Sequence, residues 1–135
     1  VEWNANVQVS SYSSFQSILL HLKLSGSYNQ INGRDPSIAK FTKFGGSNSI
    51  RGYNENQFNA QWMSLQSIEL IFGDFYRSQL FTFIDNIYAK DLTIKPSSGF
   101  GIRVFDGKFF YDVSLGFPIG EFREAKLHIK FNTRL

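Results

Sequence analysis

The stretch Phe44-Gly45-Gly46-Ser47-Asn48-Ser49-Ile50-Arg51-Gly52-Tyr53 decides how this 135-residue chain is read. It sets one arginine among the glycines Gly45, Gly46 and Gly52, with Ile50 and Tyr53 as apolar anchors on either side of Arg51. Glycine admits positive φ and a close backbone approach, so such a loop can fold inward and plant a guanidinium against a wall. A solvent loop that happens to carry an arginine has the same composition. The segments on either side separate the two readings.

Those segments alternate with period two. Leu20, Leu22 and Leu24 follow Ile18 on one face while His21, Lys23 and Ser25 occupy the other. Near the C-terminus Ala125, Leu127, Ile129 and Phe131 alternate with Lys126, His128, Lys130 and Asn132. Phe109, Tyr111, Val113, Leu115 and Phe117 oppose Phe110, Asp112, Ser114 and Gly116, and Phe100, Ile102 and Val104 oppose Gly99, Gly101 and Arg103. Weaker patterns place Ile68, Leu70 and Phe72 opposite Ser67 and Glu69, and Phe81, Phe83 and Asp85 opposite Leu80, Thr82 and Ile84.

The alternation predicts strands over 1–10, 15–28, 62–73, 79–89, 98–105, 108–117 and 124–134, with no helix. Most approach the roughly 9–11 residues that a tilted strand needs to cross a bilayer. Short turns are expected at Ser11 to Ser14, at Asp74 to Ser78 and at the Asp106-Gly107 pair, and longer connections at 29–61 and 90–97. Short turns on one side and long loops on the other suit an outer-membrane barrel. A soluble sandwich alternates likewise, but rarely keeps strands this long with charged residues on its second face.

Composition narrows the classes further. With 17% aromatic residues, 15 of them Phe, and no Cys, the chain has neither a disulfide framework nor thiolate metal ligands. No apolar run is long enough for a membrane-spanning helix, and the start is not that of a signal peptide. The formal charge of +3 comes from Lys and Arg scattered singly, which argues against nucleic acid as a partner. The two histidines stand apart in separate strand patterns, and no nucleophile elbow, paired-histidine metal motif or phosphate loop is present. Gly99-x-Gly101 lacks a third glycine and a following helix. No catalytic residue, metal site or cofactor is therefore expected.

Phe44 to Tyr53, with its Gly-Gly and Ser-Ile-Arg-Gly-Tyr core, resembles the sixth extracellular loop of BamA-type outer-membrane assembly and secretion barrels, the bacterial surface-antigen superfamily. Ser67-Ile68-Glu69, Phe83-Ile84-Asp85, Gly99-Phe100-Gly101-Ile102-Arg103 and Phe117-Pro118-Ile119 resemble that superfamily's later strands in the same order. The similarity runs from about Phe15 onward. It departs at Ile87, where the family usually has glycine, and at Leu135, where the last strand usually ends on an aromatic.

The resemblance implies that residues 1–135 are the C-terminal portion of a transmembrane β-barrel, about seven antiparallel strands with a long inward-folded loop between the second and third. The remaining N-terminal strands and periplasmic domains would be partners, along with outer-membrane lipid and unfolded outer-membrane or secreted clients. The location implied is the bacterial outer membrane or that of an endosymbiotic organelle. Arg51 would meet acidic residues of the inner wall, with Glu69, Asp85 and Asp112 as candidates. Trp3, Tyr12, Tyr28, Trp62, Tyr76 and Tyr88 would form aromatic girdles, and His21, Lys23, Arg103, Lys126, His128 and Lys130 would line the lumen. The competing architectures are a small filled eight-stranded barrel, structural or adhesive in role, and a soluble ligand-binding barrel.

Overall fold

The computed structural model describes residues 2–31, 41–74 and 77–133. Seven long strands form one antiparallel sheet, in which each strand pairs with its sequence neighbours among the long strands. They are β1 (Glu2–Phe15), β2 (Ile18–Ile31), β5 (Trp62–Asp74), β6 (Ser78–Ala89), β7 (Ser97–Asp106), β8 (Phe109–Pro118) and β9 (Lys126–Thr133). The short strands β3 (Thr42–Phe44) and β4 (Phe58–Ala60) pair with each other inside the long connection between β2 and β5. The sheet is open, with β1 and β9 at its two edges.

The two faces of the sheet differ in polarity and in burial. One face buries Ser67, Glu69, Asp85, Asp112, Ser114 and His128. The other exposes an apolar belt that includes Leu22, Leu24, Ile68, Leu70, Leu80, Ile84, Phe100, Ile102, Val113 and Phe131, with Leu127 and Ile129 64% and 67% accessible. Strict alternation along each strand produces this sorting, because successive side chains point to opposite faces. Tyr28 pairs with Trp62, and Tyr88 lies one strand further on, so these three exposed aromatics line the long-loop end of the apolar face. A polar seam runs beside them, where Asn86 donates to Gln66 at 3.1 Å and Gln66 donates to Ser64 at 2.9 Å.

The sheet must curl around the long connection. Arg51 bonds to Glu69 on β5, while the next residue, Gly52, bonds through its amide to His128 on β9. Four strand intervals on a flat sheet span about 19 Å, whereas adjacent Cα atoms are only about 3.8 Å apart. Side chains bridge part of that distance, and curvature supplies the rest: Tyr12 of β1 and Lys130 and Asn132 of β9, on the two edge strands, line one common recess, so the polar face is concave.

Several boundaries correct the sequence-based expectation. The turn expected at Ser11 to Ser14 is strand: Ser11 pairs with Leu22 and Ser14 with Leu19, and the chain reverses at Gln16-Ser17, with Gln16 at φ 54°. Serine-rich composition mimics a loop, but an exposed edge strand accepts polar residues on both faces. The Asp106-Gly107 turn is displaced by one residue: Asp106 pairs with Phe109, leaving Gly107-Lys108 as the connection, with Gly107 at φ 54°. The strand β2 continues beyond Asn29 to Ile31, and β9 begins only at Lys126, after a single 3-10 turn over Phe122–Glu124. Tyr12 leaves the proposed girdle, because it stacks flat on His21 on the concave face at a ring separation of 4.1 Å. The side chain of Trp3, and Tyr76 and Leu135 entirely, lie outside the described residues.

Candidate functional site

The long connection folds onto the concave face and buries its own small core there. Phe44, Ile50 and Ala60 pack with Leu65 of β5 and with Ile87 and Ala89 of β6, and Ile50 is 0% exposed. Phe44 stacks on Phe58 at 5.6 Å between ring centres, and Tyr53 meets Phe58 edge-to-face at 5.2 Å. Apolar burial of this kind contributes roughly 1.5–3 kcal/mol per large side chain. Ile87, standing where the family pattern has glycine, is one wall of that core.

Polar contacts fix the base of the connection and shape its tip. The Ser27 hydroxyl donates to Thr42 Oγ1 at 2.8 Å, the Asn29 side-chain amide donates to the same atom at 2.6 Å, and the Asn29 amide donates to the Gln61 carbonyl. The Gly45 amide donates to Ser49 Oγ and the Ser47 amide to Glu55 Oε1, while Gly45 and Gly46 adopt φ of 118° and 94°. The Tyr53 hydroxyl donates to the Lys95 carbonyl at 2.8 Å.

Arg51 is then held on all its polar edges. Its Nε donates to Asp85 Oδ2 at 2.8 Å, its Nη2 to Asp85 Oδ1 at 2.7 Å and Ser67 Oγ at 3.1 Å, and its Nη1 to Glu69 Oε1 at 2.5 Å. Its backbone amide also donates to Asp85 Oδ2. This bidentate fork onto Asp85 is a geometry that lysine could not reproduce. Asp85 is 0% exposed, so its charge is compensated within the protein alone. Gly52 is wedged against β8: a Cβ there would lie 2.8 Å from the Phe117 nitrogen, and its φ of 91° disfavours any side chain. Its amide donates to His128 Nε2 at 2.9 Å.

A second guanidinium completes the cluster. Arg103 Nη2 donates to Glu69 Oε1 at 2.9 Å, the same oxygen that Arg51 uses, and its Nε donates to Asp112 Oδ2 at 2.8 Å. His21 Nδ1 donates to Glu69 Oε2 at 3.3 Å. Asp85, Arg51, Glu69, Arg103 and Asp112 thus form one connected chain of charges across β5, β6, β7 and β8. Each guanidinium lies on a phenyl ring, Arg51 on Phe83 at 3.6 Å and Arg103 on Phe81 at 4.0 Å. Those rings fill space that only glycine leaves: a Cβ on Gly99 would lie 2.6 Å from the Phe83 ring, and one on Gly101 2.5 Å from the Phe81 ring.

The structure therefore brings Arg51 together with Glu69 and Asp85, two of the three partners that the resemblance implies. Asp112 does not meet Arg51; it is the cross-strand register partner of Arg103 and bonds to that residue. Sequence reasoning left Arg103 as an unpaired wall residue and missed the Phe81 and Phe83 platforms. The available signal was Phe-x-Phe on one strand facing Gly-x-Gly on the next. Lys23 and Lys130 reach a recess of about 390 Å³ below the loop tip, which Arg51, Glu69 and Arg103 also line. Among the described residues no group of three or more His, Cys, Asp or Glu is placed to hold a metal ion.

No family model matches this chain, and no curated protein matches it either.

Proposed function

We propose that this chain is the C-terminal part of a transmembrane β-barrel of the BamA-like superfamily, acting in assembly of outer-membrane proteins or in protein translocation, with the Arg51 loop docked in the lumen. One observation carries the reading: the Arg-Gly-Tyr loop is sealed by buried ion pairs onto a polar concave wall, while the opposite face exposes a belt of Leu, Ile, Val and Phe. In water that belt would be an aggregation surface; against lipid it is the favourable side. The row of Tyr28, Trp62 and Tyr88 and the adjoining polar seam fit the level where hydrocarbon gives way to headgroups.

The two open edges require further strands to close a wall, and such strands belong to the remainder of the barrel in this reading. A docked loop and a charged inner wall suit passage or handling of unfolded polypeptide, because backbone and polar side chains are not stranded against hydrocarbon there.

Site-directed cysteine labelling in native membranes tests the reading cleanly, since the chain has no cysteine of its own. Ile102→Cys and Ile129→Cys should resist a membrane-impermeant maleimide until detergent is added, whereas Ser47→Cys on the loop should react through water. Equal labelling of both sets in intact membranes would overturn the membrane placement. Loss of folded client barrels on replacing Arg51 in the full-length protein would support the assembly role; intact clients with a released loop would favour a structural barrel.

A further inference from the structure

We infer that His128 is a positioning residue with a proton-sensitive grip: its neutral imidazole ties the Arg-Gly-Tyr loop to β9, and its protonation releases that tie while leaving Arg51 seated. The inference concerns how the loop is held, and it stands whether or not the apolar face meets lipid.

The hydrogen-bond geometry sets the protonation state. The Gly52 amide can only donate, so His128 Nε2, 2.9 Å away, must offer a lone pair. The ring is then the neutral tautomer protonated on Nδ1, and Nδ1 faces Glu55 Oε1 at 3.9 Å. His128 is only 6% exposed, so water cannot readily replace either contact. Gly52 is immobilised on its other side by the backbone of Gly116 and Phe117 and cannot swing to a new acceptor without leaving the wall.

Adding a proton to Nε2 sets two donors against each other across 2.9 Å. The groups around the ring divide in sign. Arg51 of the loop and Lys130 and Lys126 on the same face of β9 oppose a positive imidazolium, while Glu55 of the loop tip and Asp85 of β6 favour it. On β8 the register partner Ser114 is neutral. A protonated ring can keep Glu55 through Nδ1 but cannot keep Gly52 through Nε2, so the contact that breaks is the one between the motif and the final strand. Arg51 does not depend on that contact: its amide and guanidinium remain on Asp85 and Glu69.

The sign of the pH dependence follows. The tie requires the neutral ring, so it is present above the imidazole's titration range and is lost below it.

Amide hydrogen exchange of the full chain in detergent micelles, corrected for the intrinsic pH dependence, reads both ends of the loop separately. Protection of the Gly52 amide should fall by about tenfold between neutral pH and a pH below the imidazole's titration range, the size expected for one lost hydrogen bond, while protection of the Arg51 amide stays constant. His128→Gln, whose side-chain oxygen accepts without titrating, should keep Gly52 protected across the same range. His128→Phe should leave Gly52 unprotected at every pH, with the Arg51 amide reporting that the variant is folded. A Gly52 protection that is flat with pH in the unmodified chain, or one that falls equally in His128→Gln, would overturn the inference.

Discussion

Arg51 and Arg103 occupy equivalent seats on the concave face, each resting on a phenyl ring and each bonding to Glu69 Oε1, yet they arrive by different routes. Arg103 is delivered by its own strand, and the hairpin register places Asp112 directly opposite it. Arg51 is delivered by a connection that must first fold back and bury Phe44 and Ile50. One half of the cluster is thus built by strand pairing alone, and the other is conditional on loop docking. Glu69, shared between them, is where the conditional half is joined to the permanent one.

The largest difference between the halves should come from Arg51→Ala. It removes three side-chain donors from the fully buried Asp85 and Glu69 pair, a kind of loss that costs about 3–5 kcal/mol. The loop segment around Asn54 to Gln57 should become rapidly cleavable by added protease, with a lowered denaturant midpoint in detergent. A loop that stays protected would erase the distinction drawn here. Gly52→Ala comes next: strain at positive φ of about 1–3 kcal/mol, together with collision against Phe117, should free the loop partly while leaving the Arg103–Asp112 pair intact.

Arg103→Ala should cost less, about 1.5–3 kcal/mol for hydrogen bonds to charged groups, because Asp112 keeps Lys130 as its register neighbour on β9. Its diagnostic outcome is a destabilised sheet with a loop still resistant to protease. Release of the loop as complete as in Arg51→Ala would mean that the two seats are a single unit. The smallest effect belongs to Glu55 at the loop tip. Partial burial would raise its carboxyl, but the hydrogen bonds from Ser47 and the positive charges nearby, Lys130 and, once it is protonated at acidic pH, His128, hold it below the usual carboxylate value. A lowered folded value means stability present above about pH 4.3 and lost as pH falls further, so exchange of the Ser47 amide should rise on acidification and Glu55→Gln should flatten that rise.

Much of this arrangement was visible in the sequence because face parity is robust to small boundary errors. Shifting a strand end by a residue or two does not move Glu69 or Asp85 off the face that meets Arg51, so those partners were legible. Pair identity is more fragile. A turn at Asp106-Gly107 would set Arg103 opposite Phe110, whereas the observed Gly107-Lys108 turn sets it opposite Asp112. The same sensitivity hid the stacking of Tyr12 on His21, which depends on the reversal at Gln16-Ser17. The bond between Gly52 and His128 had no local signal at all, since the residues lie 76 positions apart and meet only because the sheet curls.

The loop touches the wall at points far apart around its curve, from Ser27 and Asn29 on β2, through Asp85 on β6, to His128 on β9. It therefore acts as a cross-brace whose span dictates the radius of the arc. Flattening the sheet would pull these anchorages apart, and tightening it would crowd them together. The curvature of the wall is consequently braced by a segment that is not itself part of the wall.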